Sequence, residues 1–229
     1  MKTTLKFFSI YGIAYFIMLA IVLGLLYAFP KEELHLLVNS HHMPLEDIFF
    51  KYYSLLAEWP LYVLALLPAF WRHIQMTLLF AMSELTGGAV LQILKHLFCF
   101  ERPVSVFEHH SEVLPLVQGV DMYHSNSFPS GHASTFFVFF TCCALILAYH
   151  YRQSNNQLSV RKKSMICMTM LALLTMAVLG AYSRVYLSQH FMSDICVGSI
   201  IGFTSPCLMF FFARNKILKL GNRLNRTLS

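Results

Sequence analysis

The sequence predicts an all-α fold: a polytopic membrane protein built as a bundle of six transmembrane helices. Three observations carry this expectation. Hydrophobic residues fill 57% of the 229 positions, mean hydropathy is +0.58 and only 12% of residues are charged, against about 25% in an ordinary soluble domain. The apolar residues gather in runs that match the roughly 20 helical residues needed to cross the hydrocarbon core. The basic residues divide unequally between alternate connections.

The first run, Phe7 to Phe29, holds no Asp, Glu, Lys or Arg. Lys2 and Lys6 precede it, as in a cleaved signal peptide. The run is too long for an ordinary signal-peptide core and no A-x-A-like site follows, so a retained helix is expected. Length and charge gaps then mark five more spans: Tyr53–Trp71, with Glu58, Pro60 and Pro68; Ile74–Leu94, with Glu84 and Gly87-Gly88; His132–Tyr149; Met165–Tyr182; and Ile195–Ala213. The main connections are Pro30–Tyr52, Cys99–Gly131 and Tyr151–Ser164. Residues 1–229 are read as one integral membrane domain, with no repeat, no low-complexity segment and no room for a separate soluble domain.

Six helices put both termini on one side, together with the 2–3 and 4–5 connections. That side carries Lys2, Lys6, Arg72, Arg152, Arg161, Lys162, Lys163, Arg214, Lys216, Lys219, Arg223 and Arg226, 12 of the 17 Lys and Arg residues. The positive-inside rule makes it cytoplasmic. The net charge of +6 therefore calls for no nucleic-acid partner. The basic tail, residues 214–229, reads as a juxtamembrane segment near anionic headgroups or as a topology signal alone. Four cysteines, Cys142, Cys143, Cys167 and Cys207, fall inside spans as small apolar fillers. A Cys99–Cys196 bridge near the outer face is left open, because sequence carries no distance.

The remaining five cations are Lys31, Lys51, Lys95, Arg102 and Arg184. Three of them stand in short, unusual contexts at outer ends of spans. Lys95 is followed after six residues by Arg102-Pro103. Pro129-Ser130-Gly131-His132 opens the fourth span. Ser183-Arg184 is followed by His190 and then Asp194. Span ends on one side can share a pocket, however far apart they lie in sequence. Lys95, Arg102 and Arg184 are costly at a membrane edge without partners, and a phosphate satisfies both guanidinium forks and an ammonium. The start of a helix at Ser130-Gly131 offers free backbone N–H groups, and glycine lets an anion come close. If the sixth helix begins early, His190 and Asp194 share a face at i and i+4. The aspartate then holds one ring nitrogen and frees the other to attack. His132 remains to protonate a leaving oxygen. A single intramembrane His or Arg is more often a buried pair or a snorkelling side chain. Four specified residues in one twelve-residue frame, however, match by chance only about once in 10⁵ frames at average usage.

K-x6-R-P, P-S-G-H and S-R-x5-H-x3-D, in this order, resemble the three signature blocks of the type 2 phosphatidic-acid phosphatase superfamily. All eleven positions match: Lys95, Arg102, Pro103, Pro129, Ser130, Gly131, His132, Ser183, Arg184, His190 and Asp194. The resemblance reaches from about Ile74 to Ala213. It implies a hydrolase that works without metal or other cofactor, through a phosphohistidine. His190 would be the nucleophile, Asp194 its orienting partner and His132 the general acid. Lys95, Arg102, Ser130, the Gly131 backbone and Arg184 would bind phosphate. It also implies a membrane lipid phosphate as substrate: lipid A, undecaprenyl pyrophosphate, phosphatidylglycerol phosphate or phosphatidate. A phosphotransferase using the same phosphohistidine and a non-enzymatic lipid transporter are the rival readings. The absence of an added domain suits a bacterial inner membrane, with the active site outside the cytoplasm.

Other polar residues carry weaker signals. Glu58 and Glu84 are expected to make structural hydrogen bonds. His109-His110, Glu108, Glu112, Asp121, His124 and His41-His42 read as solvated loop, because their spacing fits no helical metal-ligand pair. Trp59 and Tyr52-Tyr53 read as an interfacial anchor.

Overall fold

A computed structural model describes residues 2–72, 74–108, 114–151, 158–213 and 215–216. The chain is helical throughout its long apolar runs, as expected. The first helix, α1 (Lys2–Ala28), stops before Pro30, which disfavours helical backbone in the residue preceding it. Helices α2 (Lys31–Val38) and α3 (Pro44–Ser54) occupy the first long connection. Next come α4 (Trp59–Arg72), α5 (Ile74–Phe98), the short α6 (Pro103–Phe107), α7 (Gly131–His150), α8 (Val160–Tyr186) and α9 (Met192–Leu208), which runs into a π-helical turn at Met209–Ala213. Pro206 inside α9 removes the N–H that would bond the Gly202 carbonyl and loosens the helix there.

Among the described residues, five helical segments are long and apolar enough to cross a membrane: Lys6–Ala28, Ile74–Phe107, Gly131–His150, Val160–Tyr186 and Met192–Ala213. The second expected span, Tyr53–Trp71, is divided. Helix α3 ends at Ser54, a 3₁₀ turn covers Leu55–Ala57, Glu58 is extended (ψ 139°), and α4 begins at Trp59. Proline fits the first turn of a new helix and not the interior of an old one, since it cannot donate to the carbonyl four residues back. Pro60 therefore marks a start. With 14 residues, α4 is about 21 Å long at 1.5 Å per residue, the short member of a six-helix bundle. The basic tail falls outside the described residues from 217 onward, as does Arg152.

Helix α7 lies at the centre, packed by α8, α9, α5 and α1. The first helix belongs to this core. Tyr11 and Tyr15 are buried, their hydroxyls meeting Thr141 Oγ1 at 3.1 Å and Ser199 Oγ at 3.4 Å, and Tyr15 stacks on Phe203 with centroids 4.1 Å apart. Its other face, including Phe16, Ile17 and Ile21, is exposed, as a lipid-facing surface must be. All six cysteines are free, so the Cys99–Cys196 bridge is not formed. Glu84 lies beside Tyr62 and Thr135, within the α4–α5–α7 contact.

The α7–α9 contact sets up the functional end. A side chain at Gly198 would meet the Ser130 carbonyl at 2.5 Å, and one at Gly202 would meet Phe137 Cβ at 2.6 Å. This small-xxx-small pair lets two backbones approach closely, and the Ser130 N–H donates to the Asp194 carbonyl at 3.1 Å. Gly202→Leu is expected to lower stability by about 1–3 kcal/mol, the usual range for overpacking, and to lower activity with it. Thermal unfolding of the detergent-solubilised variant checks this.

Candidate active site

The three sequence blocks meet at one end of the bundle, around a cavity of about 430 Å³. Lys95, Arg102, Gly131, His132, Arg184 and His190 line it, with Lys51, Glu58, Asp121, Tyr123 and Gln189 completing the wall. Each block is held by a different local device.

Lys95 stands in the last turn of α5, and its ammonium donates to the Asn126 carbonyl at 3.3 Å. Arg102 is the N-cap residue of α6. Its Nε donates to the Ser125 carbonyl at 2.9 Å and its Nη1 to the Gln189 carbonyl at 3.2 Å. Among the described residues these cations hydrogen-bond backbone carbonyls, and both lie in the field of the Asp194 carboxylate. The same bonds tie the loop before α7 to the turn that carries His190.

The second block starts α7. Ser130 is the N-cap, with its hydroxyl accepting from the Ala133 N–H at 3.4 Å. Ser130 is fully buried and does not line the cavity; Gly131 and His132 do. His132 Nε2 lies 3.0 Å from Glu58 Oε1. Glu58 therefore belongs to the cavity, where the sequence reading had expected a structural carboxylate. The contact depends on the break between α3 and α4, which no periodicity reveals.

The third block departs from the helical pairing expected of it. His190 is not on α9, which begins at Met192 with Phe191 as its N-cap. His190 sits on a turn at the end of α8, where the Gln189 and His190 N–H groups both donate to the Arg184 carbonyl, at 2.9 and 3.1 Å. Asp194 occupies the third helical position of α9 and reaches back. Its Oδ2 accepts from the Phe191 N–H at 3.0 Å and the Ser127 hydroxyl at 2.5 Å and stands 3.5 Å from His190 Nδ1. The pair thus meets through a helix cap. An aspartate in the first turn gains from the free N–H groups and the helix dipole. His190 is 2% exposed and Asp194 1%. Ser127, which matches no signature position, is a functional neighbour that the sequence reading missed.

Arg184, in the last turn of α8, is 5% exposed, and its Nε has no hydrogen-bond partner. A buried guanidinium donor left unmatched is costly, and a bound oxyanion would satisfy it.

Helices α2 and α3 brace the turn from behind. Ser188 has positive φ (52°), and its hydroxyl accepts from Asn39 Nδ2. The same amide donates to the Val185 carbonyl at 3.1 Å, and His35 Nε2 lies 3.4 Å from Ser188 Oγ. His42, expected to be solvated, instead bridges Asn39 Oδ1 at 2.5 Å and Asp47 Oδ1 at 2.8 Å and lies against Tyr186. The Lys31 ammonium lies over the Phe191 ring, 3.8 Å from its centroid. Trp59 and Tyr52 are exposed, as an anchor requires, while Tyr53 packs on Phe136. His109, His110 and Glu112 lie outside the described residues.

Burial pushes the His190 imidazole down to about 4, opposed by the neighbouring Asp194 carboxylate and helped by Arg102 and Arg184. A group lowered in this way is neutral above that value, so His190 keeps a free lone pair across the physiological range. Imidazole NMR of the free protein, assigned with His190→Asn, is expected to show no protonation until the pH approaches 4. A titration near the ordinary 6.5 would show that the ring is solvated.

This end of the bundle gathers Lys95, Arg102, Arg184 and two histidines around one cavity in a helical membrane protein. The chain belongs to the PAP2 superfamily, whose family model matches residues 76–217. LpxE of Aquifex aeolicus has a similar fold (TM-score 0.62, 22% identity, 80% of this chain and 97% of that one covered). So does the first transmembrane PAP2 type phosphatidylglycerolphosphate phosphatase from Bacillus subtilis (TM-score 0.58, 21% identity, 94% of this chain and 98% of that one). No curated protein sequence matches this one.

Proposed function

We propose that the protein is a membrane lipid phosphatase that cleaves a phosphate monoester or pyrophosphate through a phosphohistidine, on the face of the membrane away from the cytoplasm. The observation that carries this reading is the buried, unmatched Nε of Arg184, in one cavity with Lys95, Arg102 and His190. The phosphoryl oxygens lie on Arg184, Arg102, Lys95 and the Gly131 N–H. With Asp194 at Nδ1, His190 presents Nε2 to phosphorus. A P–N bond forms, the P–O bond to the lipid breaks, and His132 gives the leaving oxygen its proton. Water then attacks phosphorus with His132 as base, the P–N bond breaks, and inorganic phosphate and the original imidazole are released. Cations stand where a metal phosphatase uses carboxylates and histidines as ligands, so this mechanism uses no divalent ion.

A lipid substrate is supported by what adjoins the cavity. Two apolar grooves of about 200 and 400 Å³ share Ala65 and Phe139 and follow α7 from Thr135 to His150. The first starts at Leu56 and Ala57, next to Leu55 of the catalytic cavity. A hydrocarbon chain fits this path, with its headgroup at His132. The candidates are lipid A, undecaprenyl pyrophosphate, phosphatidylglycerol phosphate and phosphatidate. The decisive experiment is phosphate release from this panel by the purified protein in excess chelator. Release that needs added Mg²⁺ or Zn²⁺ overturns the metal-free mechanism. Transfer of the phosphoryl group to a second lipid without phosphate release makes the protein a phosphotransferase, and intact lipid crossing between leaflets makes it a transporter.

The split of basic residues supports cytoplasmic termini, with the catalytic cavity on the opposite face. In a Cys-less background, Leu116→Cys is expected to react with an impermeant thiol reagent in intact cells and Val160→Cys is not. The reverse pattern would invert the topology.

A further inference from the structure

We propose that Glu58 is the positioning residue of His132, holding the Nε2 proton that the departing oxygen will take. The inference rests on the phosphatase reading and adds a residue that no signature block contains. Its motive is the 3.0 Å contact between His132 Nε2 and Glu58 Oε1 inside the catalytic cavity.

A carboxylate oxygen accepts only from a nitrogen that bears hydrogen. The contact therefore puts a hydrogen on Nε2. With the phosphate dianion bound, the acting acid is the imidazolium, which carries a second hydrogen on Nδ1, so that losing the Nε2 proton leaves a neutral ring able to act as base toward water. The charged and titratable groups facing His132 from other elements are Lys95 of α5, Arg102 before α6, Arg184 of α8 and His190 of the following turn. A proton on Nε2 thus points into surroundings of its own sign, and the acceptor that meets it comes from the α3–α4 break. Glu58 also faces Arg184 electrostatically, so one carboxylate ties the acid to the anion-binding arginine.

The arrangement parallels the first histidine. Asp194 holds His190 so that the opposite nitrogen is free to attack. Glu58 holds His132 so that its proton is ready to leave. The two carboxylates differ in burial, as their tasks require. Asp194 is sealed and stays in place, while the Glu58 side chain is 48% exposed and sits on extended backbone between two helical segments. It has room to yield its hydrogen bond to the ester oxygen of an arriving substrate.

The test compares Glu58→Gln with wild type on a lipid phosphate, whose alkoxide must be protonated to leave, and on p-nitrophenyl phosphate, whose phenolate needs no proton. Orthovanadate inhibition serves as the probe of the anion site. Turnover of the lipid phosphate is expected to fall about 10-fold or more, part of the 10²–10⁴ that general acid catalysis supplies. The rate of phosphoenzyme formation from the nitrophenyl ester, read by rapid quench, and inhibition by vanadate are expected to stay near wild type, with KM for the lipid little changed. Glu58→Asp, which keeps a carboxylate at shorter reach, is expected to recover part of the loss. If Glu58→Gln does not fold, Glu58→Asp alone is expected to show a smaller loss confined to the lipid phosphate. Equal losses in the rate of phosphoenzyme formation on both substrates, or a change in KM alone, would overturn the role. A wild-type protein that releases no phosphate from either compound overturns the phosphatase reading, and this one falls with it.

Discussion

Arg184→Ala is expected to lower kcat/KM for the lipid phosphate by about 10²–10³-fold, the usual cost of removing one preorganised donor from a developing anion. Three features of the site put the effect at the top of that range. The guanidinium is almost fully buried, so water does not replace it. Its Nε has no hydrogen-bond partner among the described residues, so the donor is free for a phosphoryl oxygen. The turn that delivers His190 hangs from the Arg184 main-chain carbonyl, which alanine retains, so the nucleophile stays where it is. Arg184→Lys keeps the charge and loses the planar fork, and is expected to fall between alanine and wild type. Steady-state rates and vanadate inhibition at equal expression read both effects. Arg161→Ala, an exposed residue at the start of α8, is the control. An Arg184→Ala loss no larger than that of the control would mean that phosphate binds elsewhere.

His190→Ala is expected to abolish the covalent phosphoenzyme, and with it lipid phosphate turnover. His132→Ala is expected to slow formation of the adduct by about 10²–10⁴ on poor leaving groups and much less on p-nitrophenyl phosphate. The difference follows from where the rings sit. His190 is sealed against Asp194 with one nitrogen left to act. His132 is on another helix and lines the same cavity, from which it would protonate the departing oxygen in an in-line displacement. Rapid-quench labelling with radioactive lipid phosphate, followed by acid and base treatment and peptide mapping, measures this directly. The adduct should be acid-labile and base-stable, as a phosphoramidate is. An acid-stable adduct, or one mapping to Ser130 or Ser183, would remove His190 from the nucleophile's role. The burial of both serines and the capping bond of Ser130 argue against them.

The membrane class, the helical runs and the signature residues are all legible in the sequence, because each is a local property. A span is a length of apolar residues, a helix start is a serine before free N–H groups, and K-x6-R-P, P-S-G-H and S-R-x5-H-x3-D are spacings along one chain. Glu58 was invisible as a site residue for the opposite reason. It lies 74 residues from His132, and only the break at Pro60 and the packing of α3 and α4 beside α7 bring it to the imidazole. Ser127 on Asp194 and Asn39 on Ser188 are likewise products of chain crossing. The i, i+4 spacing of His190 and Asp194 predicted the right pair through the wrong geometry. A helix face and a capping turn both bring residues four apart together, and only the start of α9 at Met192 tells them apart. Residue types and spacing thus determine what chemistry the chain carries, whereas the close α7–α9 approach at Gly198 and Gly202 decides where the groups point, since only packed backbones fix a direction in space.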